Sequence, residues 1–309
     1  MKTKLQIVLG SVLLSAFSSA YAQQTQIETT DGKQTSVVQP QAPLSDTDDS
    51  WKVSITPYLW IPGPNATIHL PFEAAGRHFD GNASLNAGWW DVLSKLSANF
   101  LVLSADGRVE VSKGKWGGFV DGYWLYAKIT ENNDGSKFLL HDSVDVTDSL
   151  HITNKFQAGQ VNFGPRYLIG SIPFDKSGDF GVAFEAYGGG RANWVSNSID
   201  GSVNLNHVGV GYNGSASQSY IEPMIGLKTT WNLGPDFKAL LRGDIGGWGL
   251  VQNQNVDCDL EAAICWMFHK NTYLDLAYRA RGQWQTDSTS QLTVSGWFHG
   301  PELGVTFAF

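Results

Sequence analysis

Past residue 17 this 309-residue chain contains no apolar run long enough to cross a membrane as a helix, and it holds only two cysteines and three methionines. The first shortage excludes a helical membrane protein, which needs about 20 consecutive apolar residues per span. Basic residues are also scarce, with Lys+Arg at 21 against Asp+Glu at 29. A net charge of −8 without basic clusters makes nucleic acid a poor partner. Metal-ligand spacing is absent too: His69 with His78, or His141 with His151, matches no recognised site, and no cofactor motif appears. The glycine runs at Gly188–Gly190 and Gly243–Gly247 precede no helix, so neither is a phosphate cradle; glycine there relieves crowding in a curved sheet or beneath an aromatic on the next strand.

What the chain does have is aromatics and glycine, with 12 Trp, 10 Tyr, 16 Phe and 34 Gly. At the amino end, Lys2 and Lys4 precede an apolar run to Phe17, and Ala20-Tyr21-Ala22 supplies the small residues of a cleavage site. Residues 1–22 therefore read as a secretory signal peptide, and no cysteine follows the cut, which excludes a lipoprotein. Without those lysines the mature net charge is about −10. Residues 23–50 are rich in Gln, Thr, Ser and Asp and have no apolar period, so they read as a disordered periplasmic arm.

From Trp51 to Phe309 the period is two. Trp51, Val53, Ile55, Leu59 and Ile61 oppose Lys52, Ser54, Thr56 and Tyr58, and Pro57 marks an irregularity. Ten such strands can be traced, joined alternately by short turns (113–114, 172–177, 233–236, 269–271) and long polar loops (62–96, 131–154, 197–217, 250–257, 285–295). That alternation predicts an all-β, antiparallel, transmembrane up-and-down barrel with periplasmic termini. Ten strands are expected, with twelve as the alternative if residues 65–87 supply a further hairpin; Asp91 to Leu96 suits a short amphipathic helical turn. Trp51, Trp116, Trp231, Trp266, Phe268 and Phe309 fall beside the termini or short turns on the lipid-facing parity, where they would form the inner aromatic girdle.

The last strand ends Glu302-Leu-Gly304-Val-Thr-Phe307-Ala-Phe309. This terminus resembles the signal read by the outer-membrane assembly machinery on bacterial β-barrels, with Gly304, Phe307 and Phe309 as its residues. The phrases Pro57-Tyr-Leu-Trp60, Lys113-Gly-Lys-Trp-Gly117, Asp121-x-x-Trp-Leu125, Glu222-Pro-x-x-Gly226 and Gly243-Asp-Ile-Gly-Gly-Trp248 resemble a set of uncharacterised Gram-negative outer-membrane barrel proteins. The resemblance implies a barrel in the outer membrane, in contact with lipid and lipopolysaccharide, and no assigned chemistry.

Parity places Asp106, Arg108, Glu110, Asp121, Arg166, Glu185, Arg191, Glu222, Lys228, Lys238, Arg242, Asp244, Asp275, Arg279, Arg281 and Glu302 inside. The two signs balance, so opposite charges should pair across a narrow lumen, or else face each other across an eyelet that selects small polar solutes. The expected function is a narrow porin-like or structural envelope barrel. The alternative is an envelope enzyme or adhesin acting through its loops, but the histidines are scattered and His141-Asp142 would need another carboxylate to activate water. Cys258 and Cys265 stand roughly 23 Å apart if one extended strand holds both, beyond bridging range; a disulfide requires that strand to begin after Cys258.

Overall fold

A computed structural model describes residues 50–74, 77–94, 100–134, 149–176, 178–205, 208–250, 256–284 and 293–309. The expected signal peptide, nearly all of the expected arm, His141, Asp142 and His207 lie outside these residues. The chain begins with β1 (Trp51–Trp60), β2 (Gly63–Ala74), β3 (Arg77–Asn86) and the short helix α1 (Trp89–Ser94). Nine strands follow: β4 (Phe100–Lys113), β5 (Trp116–Asp134), β6 (Ser149–Pro173), β7 (Phe180–Leu205), β8 (Val208–Leu233), β9 (Phe237–Gly246), β10 (Val256–His269), β11 (Thr272–Trp284) and β12 (Thr293–Ala308).

Strands β1 and β4 through β12 pair antiparallel with their neighbours, and β1 also pairs with β12, which closes a ten-stranded barrel. Residues 65–86 do form a hairpin, but β2 and β3 stand outside the ring. β1 leaves the wall after pairing Trp60 with Glu302, and β2 then takes over the outer half of β12, from Thr293↔His69 to His299↔Gly63. Gly300 marks this change of partner, because a Cβ there would collide with the Ile61 carbonyl. Towards its tip β2 reaches β8, pairing Glu73 with Asn213 and Ala74 with Tyr212.

The outer ends are longer than the sequence suggests. Residues 197–217 read as a glycine-rich loop, yet β7 continues to Leu205 and β8 starts at Val208, paired throughout from Asn197↔Ala216 to Leu205↔Val208. Similarly, β5 runs to Asp134, β6 begins at Ser149, β10 at Val256 and β12 at Thr293. Above the bilayer the outward face of a strand meets water instead of lipid, so alternation fades while backbone pairing persists. Strands of 25 or 26 residues, β6 to β8, far exceed the roughly 9–11 that a crossing requires. They form a tall wall on one side of the mouth.

Inside the membrane the dyad repeat holds. β10 alternates exposed Leu260, Ala262, Ile264 and Trp266 with buried Asp259, Glu261 and Ala263. Trp51, Trp116, Trp266, Phe268 and Phe309 are exposed at the end that carries the termini and tight turns. Outward-facing Ile221, Ile225 and Leu227 on β8 give way to Ser219, Ser217 and Ser215 farther out, which marks the upper edge of the apolar belt. Glycines seat the aromatics of neighbouring strands: a Cβ at Gly159 would enter the Trp194 indole, one at Gly190 the Phe163 ring, and one at Gly226 the Tyr187 ring. The tight turns use left-handed residues, Gly114 at φ 56° and Asn271 at φ 56°. Pro57 pairs with Gly107 without interrupting β1. Both cysteines lie in β10 and are free. Their odd spacing puts them on opposite faces, Cys258 outward and Cys265 inward, so the strand's own geometry rules out the bridge.

Candidate functional site

The lumen is filled in layers. Nearest the periplasm is a cavity of ≈ 210 Å³ whose lining includes Lys52, Thr56, Lys238, Tyr273, Asp275 and Thr306. At its upper edge Glu110 accepts hydrogen bonds from Arg166 (2.8 Å) and Lys228 (2.9 and 3.0 Å), while Glu185 lies 3.7 and 3.5 Å from the same two cations. Lys238 donates to the Tyr273 hydroxyl at 3.2 Å and stands 4.6 Å above that ring's centroid. Asp275 accepts from Thr306.

Above the cavity Asp121, from β5, holds the centre. Its Oδ1 accepts from the Tyr58 hydroxyl of β1 at 2.8 Å, and its Oδ2 accepts from Arg242 of β9 at 3.0 Å and Arg279 of β11 at 3.2 Å. Arg108 of β4 brings Nε to 3.5 Å from the same carboxylate. Two of these arginines have a second anchor on β10. Arg108 forks onto Glu261, with Nη1 to Oε1 at 3.1 Å, and Arg279 donates to Asp259 at 2.6, 3.0 and 3.1 Å. Five strands thus meet around one carboxylate that is 1% exposed.

Two tyrosines perform the same task on opposite sides. Arg279 donates to the Tyr58 oxygen at 2.8 Å while Tyr58 donates to Asp121; Arg242 donates to the Tyr187 oxygen at 3.1 Å while Tyr187 donates to Asp244 at 3.0 Å. A phenol between guanidinium and carboxylate adds a charge-assisted bond on each side. Next to this centre Arg191 pairs with Asp244 and donates to Asn162 at 2.9 Å, with Glu222 3.9 Å away. Arg281 donates to Asn193 at 2.8 Å and lies 3.4 Å from Asp257; Asn193 in turn donates to Glu222 at 3.2 Å.

The outermost layer is apolar. Trp60, Tyr123, Leu125, Phe156, Val195 and Val294 form one buried cluster, which also takes in Ala66 of the β2–β3 hairpin. Arg279 marks the junction, with its guanidinium carbon 5.7 Å from the Trp60 ring and 5.9 Å from those of Tyr58 and Tyr123. Stacking against aromatic faces suits a cation that has left water.

Each inward-facing residue expected from parity lies on the lumen side, although Asp106 belongs to a separate contact, accepting from the Trp60 amide and Ser104. The expected balance of charge needs correction, because Asp257, Asp259 and Glu261 of β10 also face inward and are buried. Asp257 falls within the loop expected at 250–257, but β10 begins one residue before it. Asp259 and Glu261 were legible from the same alternation that placed Arg279 and Arg281. The three histidines whose side chains are described do not converge: His151 is exposed on β6, His269 ends β10, and His299 bonds the Tyr278 hydroxyl at 2.7 Å on the outer face. Among the described residues no group of three metal-ligating side chains comes together.

A closed ring of ten strands, an apolar belt and a polar interior leave one architecture. The chain has the fold of an outer-membrane β-barrel. No protein-family model matches it. No curated protein matches it in sequence. Among solved structures it is similar to the outer membrane protease OmpT from Escherichia coli, with TM-score 0.46 and 10% identity over 86% of this chain and 100% of that one. It is also similar to the CymD monoaromatic hydrocarbon channel (TM-score 0.31, 9% identity, 85% of this chain and 89% of that chain). A third is Ail of Yersinia pestis in complex with a heparin analogue (TM-score 0.27, 13% identity, 84% and 98%). The likeness is one of barrel architecture, and no site residue is carried over from these proteins.

Proposed function

We propose that this protein is a closed outer-membrane barrel, a scaffold sealed against passive flow that acts through the structure it raises above the outer leaflet. The observation that carries this reading is the hub at Asp121. Asp121 and Arg279 are 1% exposed and Arg191 and Gln160 are 0% exposed at mid-depth, with the Trp60–Phe156 cluster stacked above them. A pore that passes polar solutes needs hydrated charged groups along its length. Here the guanidiniums are instead engaged by carboxylates, phenols and rings. The tall wall of β6–β8 and the hairpin that joins β12 to β8 at the mouth provide the external surface.

Planar-bilayer recording on the refolded mature barrel tests this. The expected trace is flat, with at most brief, low-conductance events; a large, steady conductance from the unmodified protein overturns the proposal. A second reading, a gated narrow channel for small polar solutes, is favoured by the ≈ 210 Å³ cavity beneath the hub. It requires the hub to open, and it predicts discrete, voltage- or solute-dependent openings that disappear when the hub is locked by an engineered disulfide.

A further inference from the structure

On the outer wall, Lys128 of β5 and Lys155 of β6 stand directly opposite each other in the strand register. Both fall on the outward parity of their strands, Lys128 partly exposed and Lys155 exposed, and neither has an ion-pair partner among the residues whose side chains are described. Like charges at directly opposed positions destabilise a sheet. A pair kept in this arrangement calls for an anion between them.

Their height identifies which anion. Trp116 and Tyr167, also direct partners, pack with ring centroids 4.8 Å apart and planes inclined at 58° at the inner girdle. Lys128 and Lys155 each lie twelve residues farther along the same two strands. At ~3.3 Å per residue and a tilt of ~40°, that distance is about 40 Å along the strand and about 30 Å along the membrane normal. The apolar band of such barrels is about 25 Å tall, so the lysines sit just beyond its upper edge, at headgroup level. The surroundings fit that level. Below them, the Trp124 and Tyr126 rings stack at 6.2 Å and Trp194 covers Gly159, as in an outer aromatic girdle. Beside them the cross-strand ladder continues from Lys155 to Ser198 and on to Ser215, a row of outward-facing hydroxyls. One pair farther out, Asp200 opposite Thr153 turns the surface acidic, so the positive field is a single band.

We infer that Lys128 and Lys155 form a binding site for a phosphorylated glycolipid headgroup of the outer leaflet, with the lysines on the phosphate, the Ser198–Ser215 hydroxyls on the sugar and the acyl chains along the aromatic girdle below. The site commits the barrel to one ligand source, lipid in the same leaflet. It needs no opening of the lumen, so it is independent of the reading of the hub.

The test uses the refolded mature chain in nonionic detergent, with lipid A carrying both phosphates, the same lipid with phosphates removed, and inorganic phosphate as probes. Lys128→Gln, Lys155→Gln and the double variant are compared with Lys176→Gln at the periplasmic turn. Near a membrane surface each lysine contributes about 1 kcal/mol toward an anionic headgroup, so each single variant should weaken phosphorylated lipid A binding about fivefold and the double variant about 30-fold. Binding of the dephosphorylated lipid, and K176Q with either lipid, should not change. Because the lysines repel each other, the double variant should be at least as heat-stable as the parent in lipid-free detergent, which separates loss of binding from loss of fold. Equal affinity of parent and double variant for phosphorylated lipid A overturns the site. Equal affinity of the parent for both lipids overturns the role of phosphate. Full occupancy by inorganic phosphate at the concentration at which lipid A saturates overturns the assignment to a lipid.

Discussion

Removing Asp121 tests the seal most directly. In Asp121→Ala, Arg108 keeps its fork onto Glu261 and Arg279 keeps Asp259, but Arg242 keeps only the Tyr187 oxygen and a Glu261 oxygen 4.0 Å away. An arginine buried this deeply without a close carboxylate corresponds to breaking a buried ion pair, about 3–5 kcal/mol. The reciprocal variant, Arg242→Met, is milder. Asp121 still accepts from Tyr58 and Arg279, and methionine occupies much of the arginine's volume against Phe119 and Tyr187, so about 1–2 kcal/mol is expected. The double variant removes the stranded cation together with its partner, and its cost should fall short of the sum of the singles by about 1–3 kcal/mol. Urea unfolding in lipid vesicles, read by tryptophan fluorescence and by heat-modifiable migration on gels, measures all three. Equal costs for the two singles, adding to within about 0.5 kcal/mol in the double, would refute the hub.

Three other outcomes follow from the geometry. Gly226→Ala pushes a methyl into the Tyr187 ring and to 2.7 Å from the Asp244 Cβ, so it should lower stability by about 1–3 kcal/mol, whereas Gly170→Ala, with nothing within 4 Å, should be near neutral in the same unfolding assay. Thiol titration without reductant should find two free thiols, with a water-soluble maleimide reaching Cys265 through the periplasmic cavity but not the outward-facing Cys258; a single band of oxidised, unreactive protein would contradict this. Phe309→Ala keeps the backbone exchange between Phe309 and Val53 but removes an exposed ring from the inner girdle, so slower assembly with an unchanged final fold is expected, followed as the fraction of heat-modifiable protein over time.

What could be read from the sequence follows the position of the membrane. Where lipid meets one face, as on β9, the alternation of Leu241 and Ile245 with Lys238, Arg242 and Asp244 fixes both strand and orientation, and the structure agrees residue by residue. Farther out, the outward residues Ser198, Asp200, Ser215 and Ser217 meet water instead of lipid, so the apolar–polar contrast that marks a strand is lost while the pairing continues. The hub was legible as a set of residues and not as contacts. Which arginine meets Asp121 depends on the stagger of β4, β9 and β11 around the barrel, and no local pattern encodes that stagger. Of the three further acids in the interior, Asp257 stands beside a strand boundary, the least certain part of any strand assignment, whereas Asp259 and Glu261 share the inward parity of Cys265 within β10.

Because β12 changes partner halfway along its length, barrel closure has an order built into it. β1 and β12 are distant in sequence, with Thr56 and Thr306 in contact at a separation of 250 residues. Bringing such ends together costs about 5 kcal/mol in loop entropy before any bond between them forms. The β2–β3 hairpin is local and can form on its own timescale, and it already carries the edge on which the outer half of β12 docks. Once that half is seated, the lower half lies beside β1 and zips from Glu302 towards Phe309 without a second loop to close. The hairpin over the mouth is therefore also the splint on which the last strand is set, and damage to it should delay closure at the opposite end of the barrel.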